Sequence, residues 1–132
     1  MLRHPLLLLL LVIGPPAMGE ERPWTDPEVL QAAFSIAMTA EQQPQFRAAV
    51  ADFLQGYGSD VRKLLNGRNN LRIERKIASK RRNRVKTMDN EVATFLSEAQ
   101  LGAYENYRAT LLAKMDERAK ARRQNTVDQR GR

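Results

Sequence analysis

Eleven cationic side chains stand between Arg62 and Lys86 against a single acid, Glu74, a net charge of +10 in 25 residues. Seven of the eleven are arginines. A guanidinium pairs bidentately with a carboxylate or phosphate, stacks on an aromatic ring, and covers apolar surface with its stem. Leu71, Ile73, Ile77 and Met88 lie among Arg68, Arg72, Arg75, Arg81 and Arg82. A surface combining these groups can hold an unfolded polypeptide through many weak contacts, each easily broken. Capture and release would then need no ATP, and the chain has no glycine-rich phosphate loop. The plainer alternative is a solvated helix face. Lys76, Lys80 and Arg84 repeat at i, i+4, and like charges so placed destabilise an isolated helix by a few tenths of a kcal/mol per pair. Such a helix needs tertiary packing or anions to hold it.

Other chemistries are closed by composition. His4 is the sole histidine and cysteine is absent. Arg3 and His4, the apolar run Leu6 to Ile13, and Ala17-Met18-Gly19 read as a cleavable export signal over residues 1–19, with cleavage before Glu20. The eight-residue run is shorter than the roughly 20 apolar residues of a membrane span. A processed chain has neither histidine nor thiol. Histidine-based metal sites, histidine general bases and cysteine nucleophiles are therefore excluded, no disulfide can form, and neither enzymatic activity nor a cofactor is expected. Loss of Arg3 takes one from the 22 basic side chains and leaves 21 against 15 acids, a net charge of +6. That balance favours anionic or amphipathic partners.

The elements that must position the basic run read as helices, and no alternating strand pattern of useful length occurs. After a lead-in over 20–25, Asp26-Pro27-Glu28 supplies a cap, a proline at the first helical position and an acid in the first turn. Val29, Ala33, Ile36 and Ala37 then predict a helix of about ten residues, with Phe34 and Ile36 in the core. Thr39 and Gln42 have the spacing of a capping box before a second helix, as Ser97 and Gln100 do before the last. Pro44 fits poorly, so that second helix either bends there or begins near Gln43. Phe46, Val50, Phe53, Leu54 and Tyr57 form its buried stripe, with a kink or loop expected at residues 56–59 and a turn at 67–70. One long helix of about 25 residues should follow from Leu71, its apolar stripe thinning between Ile77 and Val85. Leu101, Tyr104, Tyr107 or Arg108, Leu111, Leu112 and Met115 trace the inner face of the last helix. A helical domain over residues 20–120 is thus expected, followed by a basic, disordered tail over 121–132 with little to bury.

Two segments carry a resemblance. Met38-Thr39-Ala40-Glu41-Gln42 and Leu96-Ser97-Glu98-Ala99-Gln100 are similar to the twice-occurring Leu-Thr-x-x-Gln motif of the Spy/CpxP family of periplasmic proteins, with Met38 for leucine and Ser97 for threonine. The resemblance spans roughly residues 27–118. It implies a four-helix protein forming an antiparallel, cradle-shaped homodimer, located in the periplasm. It also implies an ATP-independent chaperone or envelope-stress modulator that holds unfolded or misfolded clients on a basic, partly apolar surface. Family members that sense metals use histidine-rich or methionine-containing sites, and here those ligands are missing or unclustered.

On this view Arg68, Arg72, Arg75, Arg81 and Arg82 attract acidic and aromatic segments of a client. Leu71, Ile73, Ile77 and Met88 supply apolar contact, provided some of these four are not committed to a core. The alternative is a regulatory protein whose basic face docks one defined partner, such as an envelope sensor. Nucleic acid is disfavoured, because the chain is expected to be exported and has no base-reading motif.

Overall fold

The computed structural model describes residues 22–67 and 71–131, without the side chains of 126–130. The proposed export signal at 1–19 and Arg68 lie outside these residues. A short 3-10 turn, Pro23–Thr25, precedes four helices: α1 Pro27–Phe34, α2 Gln42–Asn66, α3 Ile73–Ala93 and α4 Glu98–Arg130. No strand occurs among the described residues, so the fold is all-α. The chain divides into two compact units. One holds α1 and α4, and the other, Ala40–Leu96, holds α2 and α3.

In the first unit, α1 starts as its sequence predicts. The Asp26 carboxylate accepts from the Glu28 amide at 2.9 Å, and Pro27 occupies the first helical position, where a missing N–H leaves nothing unsatisfied. Val29, Ala32, Ala33 and then Ile36 are buried, and α1 packs on the face of α4 that buries Tyr104, Tyr107 and Leu111. Tyr107, not Arg108, is therefore the core residue of that pair. Burial pushes the Tyr107 phenol well above its ordinary range. Phe34 is 38% exposed and is not core. It follows Ala33 by one residue, which turns it about 100° away from the packed face.

Lys114 of α4 reaches the Glu28 carboxylate at 2.9 Å, with Asp26 at 3.8 Å and Glu117 at 3.7 Å. The hydrogen bond to Glu28, joined by the charges of Asp26 and Glu117, holds the Lys114 ammonium above its usual range. The opening acids of α1 are thereby tied to the side of α4. Helix α4 also continues to Arg130, through the segment expected to be disordered. Exposure of residues 121–125 does not prevent helix here: between Gly102 and Gly131 there is no proline or glycine, and Ala, Arg, Lys and Gln are strong helix formers.

Past Ser35 the chain turns at Ala37, whose φ of 57° is left-handed. An L-residue with a Cβ pays about 1–2 kcal/mol there, whereas glycine pays mainly through its freer unfolded chain. Ala37→Gly is expected to stabilise the protein by up to about 1 kcal/mol, read as a higher urea midpoint.

In the second unit, α2 begins at Gln42. Pro44 thus sits in the first turn, where its absent N–H is not needed, and the awkward position disappears. Glu41 precedes the first helical residue, and its own side chain makes no cap bond. The expected kink at 56–59 is also absent, since α2 runs unbroken for 25 residues. Gln43, Phe46, Ala49, Val50 and Phe53 of α2 are buried, as are Met88 and Val92 of α3 and Leu96 just beyond it. The Phe53 and Tyr57 rings stack with centroids 6.0 Å apart. Helix α3 has 21 residues, shorter than expected, because Arg72 before it takes a left-handed φ of 59° and Thr94 ends it.

Candidate functional site

Two cross-links show that α2 and α3 run antiparallel. Gln42, at the start of α2, donates through Nε2 to the Phe95 carbonyl at 2.7 Å, and Asp60 further along α2 meets Arg84. Residue numbers rise along one helix as they fall along the other, so the hairpin closes between Asn66 and Ile73. Among the described residues its core stops at Phe53 in α2 and begins at Met88 in α3. Between those limits Tyr57, Val61, Leu64, Ile73, Ile77 and Val85 are only half-buried. Two helices can face each other along only one line, so a helical hairpin by itself leaves both flanks of that line open.

The basic run lies on this sparsely covered half. Leu71 is 70% exposed, Arg72, Arg75 and Arg82 are exposed, and Ile73, Ile77 and Arg81 are half-buried. Met88 is 1% exposed, which removes it from the candidate contact surface and makes it core. The residues do not all share one side. At 100° per residue, Arg75 and Arg82 lie roughly opposite the Ile73–Ile77 line, whereas Lys76 and Lys80 border that line on one side and Arg81 on the other. Apolar and cationic groups meet in two places: along the flank formed by Ile73, Ile77, Lys76, Lys80 and Arg81, and at the end of the hairpin. There an open recess of about 500 Å³ is lined by Arg72, Ile73, Glu74 and Arg75. Leu65, 58% exposed at the end of α2, was not among the expected site residues. Its signal is the adjacent pair Leu64-Leu65, since neighbouring helical positions cannot both face the partner helix.

Arg84 is engaged across the hairpin. Its Nε donates to Asp60 Oδ2 at 2.8 Å and its Nη2 to Oδ1 at 3.1 Å, a bidentate pair across the hairpin. The guanidinium lies against Gly56, where a Cβ would come within 2.6 Å of Arg84 Cζ. Gly56 is thus a seat for Arg84 in a continuous helix, which explains a glycine where a kink was expected. The pair also removes one member from the like-charged Lys76, Lys80, Arg84 line.

The hydrogen bond from Arg84 holds the Asp60 carboxyl below its ordinary value, with the charges of Arg84, Lys80 and Lys63 adding to it and desolvation opposing. A lowered native value means that the unfolded chain takes up the proton first. The pair's stabilisation is then complete above about pH 4 and is lost as pH falls through the native value. Asp60→Asn should therefore melt below the parent at neutral pH, and the gap should narrow as the medium is acidified below about pH 4. An unchanged gap would rule out this linkage.

The two repeated motifs act as structural ties. Ser97 and Gln100 form the expected reciprocal cap, with the Gln100 amide donating to Ser97 Oγ at 3.3 Å and the Ser97 amide to Gln100 Oε1 at 2.9 Å. Gln100 Nε2 also donates to the Ala37 carbonyl at 3.2 Å, tying the start of α4 to the chain leaving α1. Gln42 does the equivalent work in its own unit through the Phe95 carbonyl. The aliphatic members, Met38 and Leu96, are both buried.

Among the described residues no three His, Cys, Asp or Glu side chains gather to hold a metal ion, and no helix is long and apolar enough to cross a membrane. No family model, curated protein or solved structure matches the chain.

Proposed function

We propose that this protein is an exported, ATP-independent chaperone that holds unfolded or misfolded polypeptides on the open half of the α2–α3 hairpin. The observation that carries the proposal is the half-buried Ile73–Ile77 line flanked by Lys76, Lys80 and Arg81. Such a strip offers hydrocarbon and positive charge together without a closed pocket. It therefore suits many client sequences and binds each weakly, as release without nucleotide requires. The resemblance of the two glutamine motifs to those of Spy/CpxP proteins supports the same reading. It also favours a periplasmic location and a homodimer, in which a second copy would widen the surface.

The test is suppression of aggregation of a reduced, unfolded client by stoichiometric protein in nucleotide-free, lipid-free buffer. Suppression that weakens with added salt is the expected result. No suppression, together with no binding to the unfolded client, would refute the proposal. A single tight partner recovered alongside indifference to unrelated unfolded chains would instead establish the regulatory alternative.

A further inference from the structure

We infer that the outward face of α3 binds a linear polyphosphate. Arg75, Arg82 and Lys86 are exposed, whereas Met88 of the same helix is buried. At 100° and 1.5 Å per residue, the three cations lie about 120° to 160° round the helix from Met88 and form a single file about 16 Å long. None of the three has an ion pair or hydrogen bond among the described residues. Ser79 and Asn83, both exposed, stand between them, so this face offers charge and hydrogen bonds but no hydrocarbon. Of the acids of α3, Glu74 and Glu91 lie about 100° or more round the helix from the file, and Asp89, the nearest, is half-buried beyond Lys86.

Charge complementarity selects the occupant. An unfolded polypeptide needs apolar contact, which this face lacks and the Ile73–Ile77 flank supplies. A membrane would meet cations alone, without the apolar insertion that stable attachment also takes. Single-stranded nucleic acid adds stacking bases to its phosphates, and α3 carries no aromatic residue to receive them. A polyphosphate needs none of these. It bears a charge on every short repeat, so it can meet cations about 10 Å apart, as Arg75 and Arg82 are along the axis, and about 6 Å apart, as Arg82 and Lys86 are, without a fixed register. Each guanidinium can take a phosphate bidentately. Binding also relieves the repulsion between Arg82 and Lys86 at i, i+4. The Ile73–Ile77 flank stays open, and the inference does not depend on client binding.

The test is calorimetric titration of the purified protein with long-chain inorganic polyphosphate over a series of salt concentrations. Orthophosphate, single-stranded DNA and phosphatidylglycerol vesicles are titrated beside it at equal phosphate. The parent should bind polyphosphate most tightly, with a slope of log K against log salt of about −2 or steeper, since each of three phosphate contacts supplies about −0.7. Arg82→Gln/Lys86→Gln should weaken binding at least about ten-fold and flatten the slope by about 1.4, the share of two contacts. Arg62→Gln/Lys63→Gln removes as much charge from α2 and should weaken binding no more than about two-fold. All four residues are exposed, so circular dichroism should be unchanged in both variants. Equal losses in the two variants, orthophosphate bound as tightly as polyphosphate, or no binding would each overturn the inference. Tighter binding of DNA or of vesicles would overturn it in favour of that partner. If Arg82→Gln/Lys86→Gln loses helix, the single variant Arg75→Gln decides, and a salt slope equal to the parent's overturns it.

Discussion

Met88→Ala should lower the unfolding free energy by about 2–5 kcal/mol, whereas Leu71→Ala should change it by no more than about 0.5 kcal/mol. Both residues are apolar members of the same basic stretch, and sequence alone offers little to separate them. In the folded chain Met88 is 1% exposed and Leu71 70% exposed. Helix α3 fully buries only Met88 and Val92, so its hold on α2 is concentrated in its last two turns. Truncating Met88 removes transfer energy and leaves a cavity that the surrounding helices fill only in part. Urea denaturation of the two variants measures the difference. A Met88→Ala protein as stable as Leu71→Ala would show that the hairpin core is elsewhere.

Neutralising Lys76 and Lys80 together should raise the protein concentration needed to hold an acidic unfolded client by about ten-fold, equivalent to about 1.4 kcal/mol. Neutralising Arg75 and Arg82 should raise it only about two-fold, since charges away from the contact act mainly through the screened field. Each double variant, written Lys76→Gln/Lys80→Gln and Arg75→Gln/Arg82→Gln, removes two positive charges, so net charge is matched between them. All four residues are exposed, and the fold should tolerate either pair. What differs is the face: Lys76 and Lys80 border the Ile73–Ile77 line, and Arg75 and Arg82 point away from it. Light-scattering titrations with one client give the comparison directly. Equal losses would mean that only overall charge attracts the client and that the apolar line has no part in holding it.

Much of the architecture is legible in short stretches of sequence because it arises from local chemistry. Asp26-Pro27-Glu28 starts a helix, and Ser97 with Gln100 closes a reciprocal cap, because each device is completed within four residues. The stripes Phe46-Val50-Phe53 and Tyr104-Leu111 are buried because apolar residues three, four or seven apart share a helix face whatever packs on it. Composition likewise concentrates charge between Arg62 and Lys86 before any folding is considered.

Other features depend on residues far away in the chain. Pro44 is accommodated by a helix start at Gln42, and the side-chain amide of Gln42 donates to a carbonyl 53 residues later. Gly56 reads as a break until Arg84, 28 positions on, is found resting against it with its charge matched by Asp60. Met88 and Ile77 look alike in the linear pattern. They part only because the packed region of the hairpin includes one and stops short of the other. Periodicity specifies which way a side chain faces around its own helix, but burial also requires a second surface to arrive there, and that is a property of the assembled chain.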